Sequence, residues 1–80
     1  MNILNRVEIY PNPSNKDMFI KLPNKQIANI SLYDIEGRLI FEKINQSSTI
    51  RISKDNLKEG VYIIKIKNEL GCINKKIIFN

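Results

Sequence analysis

Turn-forming residues interrupt this chain about every ten positions, a spacing that leaves room for short strands and little else. The interruptions are "PSNKD", "PNKQ", "DIEG", "NQSS", "SKDNLKEG" and "NELG". Between them apolar residues alternate: Val7 and Ile9; Met18, Ile20 and Leu22; Ala28, Ile30 and Leu32; Leu39 and Phe41; Ile50 and Ile52; Tyr62, Ile64 and Ile66; Ile73, Ile77 and Phe79. A period of two puts each set on one side of a pleated strand, and no stretch keeps a helical period. The expectation is an all-β chain of about seven short antiparallel strands, as a sandwich or a barrel.

"GVYIIKIKN", Gly60 to Asn68, is apolar on both faces through Ile64, which suits the middle of a sheet. "GCINKKIIF" should pair with it as a hairpin across Asn68-Glu69-Leu70-Gly71. That loop and Asp34-Ile35-Glu36-Gly37 both carry Asn or Asp first and Gly fourth, the pattern of a type I turn followed by a left-handed glycine. Leu57 stands five residues before Tyr62. This is the spacing of a tyrosine corner, in which the hydroxyl bonds backbone a few residues upstream. Strand count and corner together favour an immunoglobulin-like β-sandwich over a barrel.

Eighty residues make one domain, 1–80, able to bury only about 60–65% of its unfolded surface. An apolar fraction of 42% with 26% charged residues fits a folded module. Cys72 is the only cysteine and histidine is absent, so there is no intramolecular disulfide, no common metal set and no Cys–His pair. Cys72 reads as a small filler or edge residue. Asp34 and Glu36 read as an Asx turn with too few oxygens for calcium. No catalytic constellation assembles, and neither an enzyme activity nor a cofactor or metal is expected.

The net charge of +5 suits an anionic partner, but ten lysines to three arginines is a solubilising balance. Nucleic acid is not an expected partner, because Tyr10, Tyr33 and Tyr62 all read as structural and Trp is absent. Lys65 and Lys67 share one face of their strand, as do Asn74 and Lys76 of the next. They form either a basic strip or a guard against unwanted edge pairing. "NQS" at Asn45–Ser47 matches the glycosylation acceptor pattern and reads as a plain loop. No run of about 18 apolar residues could span a membrane. "MNILNRVEIYPNP" lacks the sections of a secretory signal, and the chain reads as a module cut from a longer protein.

"YPNP" uses two of the three prolines within four residues. Proline lacks the ladder donor and biases the preceding residue away from the helical region, so the first strand must stop at Tyr10. The segment Tyr10-Pro11-Asn12-Pro13 is expected to continue as a rigid extended corner.

Taken in order, "VEIYPNPSN", "IANISLYDIEGRLI", "LKEGVYIIKIKN" and a terminal "KKIIF" resemble the C-terminal sorting domain of type IX secretion system cargo, type A, from about Val7 to Phe79. Tyr10, Pro11, Asn12 and Pro13 match the first motif of that family. Leu32, Tyr33 and Asp34 with Gly37 match the second, Gly60 and Tyr62 the third, and Lys75, Lys76, Ile77 and Ile78 the basic and apolar ending. Many members carry glycine where this chain has Lys16; Asn15 is expected to take up a left-handed conformation in its place.

The resemblance implies a non-enzymatic signal at the C-terminus of proteins that cross the periplasm and are passed through the outer membrane to the cell surface or medium. The partners it implies are the type IX translocon, an outer-membrane shuttle, a sortase-like peptidase that removes the domain, and an anionic lipopolysaccharide joined to the cargo. The terminal hairpin, Gly60 to Asn80, is expected to present backbone edge to that machinery. Weak self-association through an edge strand is compatible with the same pattern. The rival reading is a fibronectin-like spacer or carbohydrate-binding module, for which Phe19, turned outward between Met18 and Ile20, is the one aromatic platform.

Overall fold

Most of the alternating apolar residues become the facing sides of two antiparallel sheets in the computed structural model, which describes residues 6–23, 26–55 and 57–80. Leu39 does not, because a register shift sets it, 55% exposed, opposite Tyr33, while Phe41 lies opposite Leu32. The strands are β1 (Glu8–Tyr10), β2 (Met18–Lys21), β3 (Ile27–Asp34), β4 (Leu39–Ser47), β5 (Thr49–Ile52), β6 (Gly60–Asn68) and β7 (Gly71–Phe79). One sheet has the order β1-β2-β5 and the other β4-β3-β6-β7. This is the expected immunoglobulin-like sandwich of seven strands, with β6 inside its sheet between β3 and β7.

Met18 and Ile20 of β2 meet Ile30, Leu32, Ile64, Ile66 and Ile77 of the larger sheet, all with no exposed surface. Leu57 packs against this core, and the Tyr62 hydroxyl donates a hydrogen bond to the Lys58 carbonyl, forming the expected tyrosine corner.

Four local expectations are corrected. "NQSS" is not a loop: β4 continues through Ser47, and Ser48 alone separates it from β5. Ile44 and Asn45 face a single residue of β3, a bulge in which Asn45 takes φ 54° and its N–H donates to Asn29 Oδ1 at 2.9 Å. Polar residues suit a strand here because β4 is an edge strand exposed along most of its length.

The two Asx loops share only their first residue's role, since the Glu36 N–H donates to Asp34 Oδ1 and the Leu70 N–H to Asn68 Oδ1. Gly37 is left-handed at φ 88°, whereas Gly71, at φ 156°, is already in the ladder opposite Asn68. A two-residue loop leaves no third position for a left-handed glycine.

Pro11 to Pro13 bends instead of running extended, and the Tyr10–Pro11 and Asn12–Pro13 peptide bonds are cis. The chain has to leave the β1 sheet here and reach the opposite one, where Ser14 forms a parallel bridge with Phe79. Nor is Asn15 left-handed: Asn45 and Ser48 are the described non-glycine residues with positive φ. The Ser14 hydroxyl closes the turn, accepting from the Lys16 N–H at 3.2 Å and donating to the Asp17 carbonyl at 2.8 Å. The expected turn at Pro23–Gln26 keeps a 3.1 Å bond from the Gln26 N–H to the Pro23 carbonyl, while Asn24 and Lys25 lie outside the described residues.

Candidate functional site

Strand register gathers three of the four motifs at one end of the larger sheet. Tyr33 of β3 lies opposite Ile63 of β6, which lies opposite Lys76 of β7; Asp34, Tyr62 and Ile77 form the next row, then Val61 and Ile78. Gly60 completes the series opposite Phe79.

The pleat divides these residues by task. Leu32, Tyr62 and Ile77 point into the core, and the Tyr62 ring meets Phe79 edge-on at 6.0 Å. Tyr33, Val61, Ile63 and Ile78 are half-buried on the outer face beside the exposed Lys76. Lys65 and Lys67 lie on the same face as Lys76. Lys75 falls on the side of Ile73 and Ile77 yet is exposed: β7 is the edge strand of the larger sheet, and the short strands of the smaller sheet leave this part of it uncovered. The two terminal lysines thus serve opposite faces.

Asp34 holds the turn beside this patch. Its Oδ1 accepts from the Arg38 N–H and the Glu36 N–H, both at 2.9 Å, and its Oδ2 meets Arg38 Nε at 2.9 Å. These bonds, the Arg38 backbone amide foremost, hold the Asp34 carboxyl below its ordinary range despite some opposing desolvation.

The first motif reaches the last strand. Asn12 Nδ2 donates to the Lys76 carbonyl at 3.1 Å, and the Ile78 N–H donates to Asn12 Oδ1 at 3.0 Å. The Ser14 N–H donates to the Ile78 carbonyl at 3.0 Å, and the Asn80 N–H to the Ser14 carbonyl at 2.8 Å. Asn12 and Ser14 therefore occupy the outer edge of β7 from Lys76 to Asn80, which corrects the expectation that this edge is presented free. A single side chain, Asn12, and two backbone groups of Ser14 that substitute for a partner strand leave no periodic signal, and no reading of "YPNP" alone could have found this.

Tyr10 is not a core residue. It is 44% exposed and packs its ring 6.1 Å from Phe19, its cross-strand neighbour, so that Phe19 belongs to a pair. Cys72 is exposed on the edge strand.

Residues 8–80 match the family described as the secretion system C-terminal sorting domain. The chain belongs to this family. Its members serve as type IX secretion signals and are not catalytic, and their cargo is delivered across the outer membrane to the surface or extracellular space. Similar curated proteins are the ulvan lyase NLR42 of Nonlabens ulvanivorans, 32% identical over 92% of this chain, and the beta-agarase A of Zobellia galactanivorans, 29% identical over 76%. The chain spans only 14% and 12% of their lengths. Among solved structures it is similar in fold to PorZ, a surface component of the type-IX secretion system of Porphyromonas gingivalis, with a TM-score of 0.82 and 16% identity over 99% of this chain and 12% of that one.

Proposed function

We propose that the outer patch of Tyr33, Ile63, Val61, Lys76 and Ile78, with the Asn12 strap beside it, is the surface by which the type IX machinery recognises this sorting domain. The observation that carries the reading is the meeting of three motifs, dispersed from Leu32 to Ile78 in sequence, at one end of one sheet, with Asn12 of the first motif bonded to its last strand. Leu32, Gly37, Gly60, Tyr62 and Ile77 build the surface; Lys76 and Ile78 are available to be read on it, while Lys75 stands exposed on the opposite face of β7.

In this reading residues 1–80 act as one sorting module of a larger secreted protein that passes through the periplasm. The translocon or an outer-membrane shuttle engages the patch, a sortase-like peptidase then removes the domain, and the cargo is released or joined to an anionic lipopolysaccharide.

The test is a fusion of residues 1–80 to the C-terminus of a periplasm-directed fluorescent protein in a type IX-competent host and in a translocon-null strain. Translocon-dependent fluorescence at the surface or in the medium is expected. The charge reversal Lys76→Glu should reduce it with an unchanged melting temperature. Periplasmic retention of a folded wild-type fusion would overturn the reading.

The Tyr10–Phe19 pair favours a second role, glycan binding, and two of the relatives are named for polysaccharide lyase or agarase activity. Titration with agar and ulvan oligosaccharides, compared with Phe19→Ala, decides it.

A further inference from the structure

The sandwich has four strand edges, and they are not equally protected. On β4, two register shifts break the edge, and its Lys43 reaches inward to donate to the Arg51 carbonyl at 3.3 Å, occupying backbone of β5 as it does so. Bulges and inward lysines are standard ways of preventing stray pairing. The β1 edge has three residues. By contrast, β7 pairs with β6 in nine consecutive positions without a shift, so its outer edge is regular.

In an antiparallel strand, successive residues direct their N–H and C=O groups to alternate neighbours. Ile78 gives both of its groups, and Lys76 its carbonyl, to Asn12 and Ser14 on the outside. By the same alternation the outward groups of Cys72 and Asn74, together with the Lys76 N–H, continue that edge beyond the strap. Asn12 ends the covered part at Lys76, and among the described residues nothing bonds the outward groups of the regular stretch from Cys72 to the Lys76 N–H.

We propose that this stretch is a β-augmentation site for an extended, acidic segment of a partner protein, about five residues long. The inference rests on the sorting reading above and names the contact through which that recognition proceeds. Main-chain bonds to Cys72, Asn74 and Lys76 supply affinity, and alternate side chains supply selectivity. On the outer face an incoming strand meets Lys76, with Lys67 one strand further in; on the other it meets Lys75 and the half-buried Ile73. A segment alternating acidic and apolar residues complements both faces. Two copies of this chain would instead bring together two lysine-bearing strands with no acidic residue between Cys72 and Lys76, and this like charge argues against a second copy as the occupant.

The experiment uses the fluorescent fusion with Asn74→Pro and Asn74→Ala. Proline removes an N–H that points away from β6 and is tolerated on edges, whereas alanine keeps that donor. Asn74→Pro is expected to lower translocon-dependent export about tenfold, the equivalent of one lost hydrogen bond, while Asn74→Ala exports like wild type. Full export of Asn74→Pro, or equal loss in both variants, overturns the inference and leaves the sorting reading intact. Should Asn74→Pro fail to fold by circular dichroism, Lys67→Glu decides, since Lys67 lies opposite Cys72 and outside the patch read above: a folded variant with undiminished export overturns the proposal, and lost export supports it. A wild-type fusion retained in the periplasm removes the sorting reading itself.

Discussion

Asn12 and Ile78 share a 3.0 Å hydrogen bond across 66 positions of sequence, and the same Asn12 amide bonds the Lys76 carbonyl. One side chain thereby holds the final strand to the first corner. Replacing Asn12 with Ala removes both bonds and exposes the Lys76–Ile78 edge to solvent. A loss of about 1–2 kcal/mol is expected, read as a melting temperature lower by about 4–8 °C for each kcal/mol. An unchanged melting curve would deny Asn12 its structural role.

The tyrosine corner separates ring from hydroxyl. Tyr62→Phe keeps the ring contact with Phe79 and loses the bond to the Lys58 carbonyl, so a cost of about 0.5–1.5 kcal/mol is expected. Tyr62→Ala also leaves a void in the core and should cost about 3–5 kcal/mol. Urea unfolding of both variants measures the difference.

Gly37 sits at φ 88° with open space around the position a Cβ would take, so backbone conformation alone opposes substitution there. Gly37→Ala is expected to destabilise by about 1–2 kcal/mol. Gly37→Asn should cost less, because asparagine tolerates a left-handed backbone. Equal losses would indicate a steric cause.

Stability should depend on pH through Asp34. Its carboxyl titrates below the ordinary 3.8 in the folded chain. The contribution of its ionised form is therefore present above the unfolded-state value and disappears as the pH falls through the lower folded-state value. Asp34→Asn lacks this component, so wild type and variant should converge in melting temperature as the pH is lowered from neutral to below 3.8. A gap that stays constant would remove Asp34 as the linked group.

Several elements were legible because their causes are local. Alternation in "GVYIIKIKN" follows from one buried and one half-buried face, and the Leu57–Tyr62 spacing follows from a corner completed within six residues. The "NQSS" segment misled because polar residues mark turns and exposed edge strands alike, and only the neighbouring β3 with its Asn29 amide makes it a strand. Asn15 misled because the Ser14 hydroxyl closes its turn.

By itself, the sequence determined the strand count, the central place of β6, the left-handed glycine at Gly37 and the four motifs by which the family is recognised. Each depends on periodicity, or on a residue type whose backbone preference acts within a few positions. Tertiary structure alone decided that three of those motifs share one end of one sheet, that Lys75 and Lys76 serve opposite faces, and that Asn12 and Ser14 close the edge of β7 from Lys76 to Asn80. These facts depend on which strands become neighbours and in what register, and that is settled by the burial of all the apolar faces together.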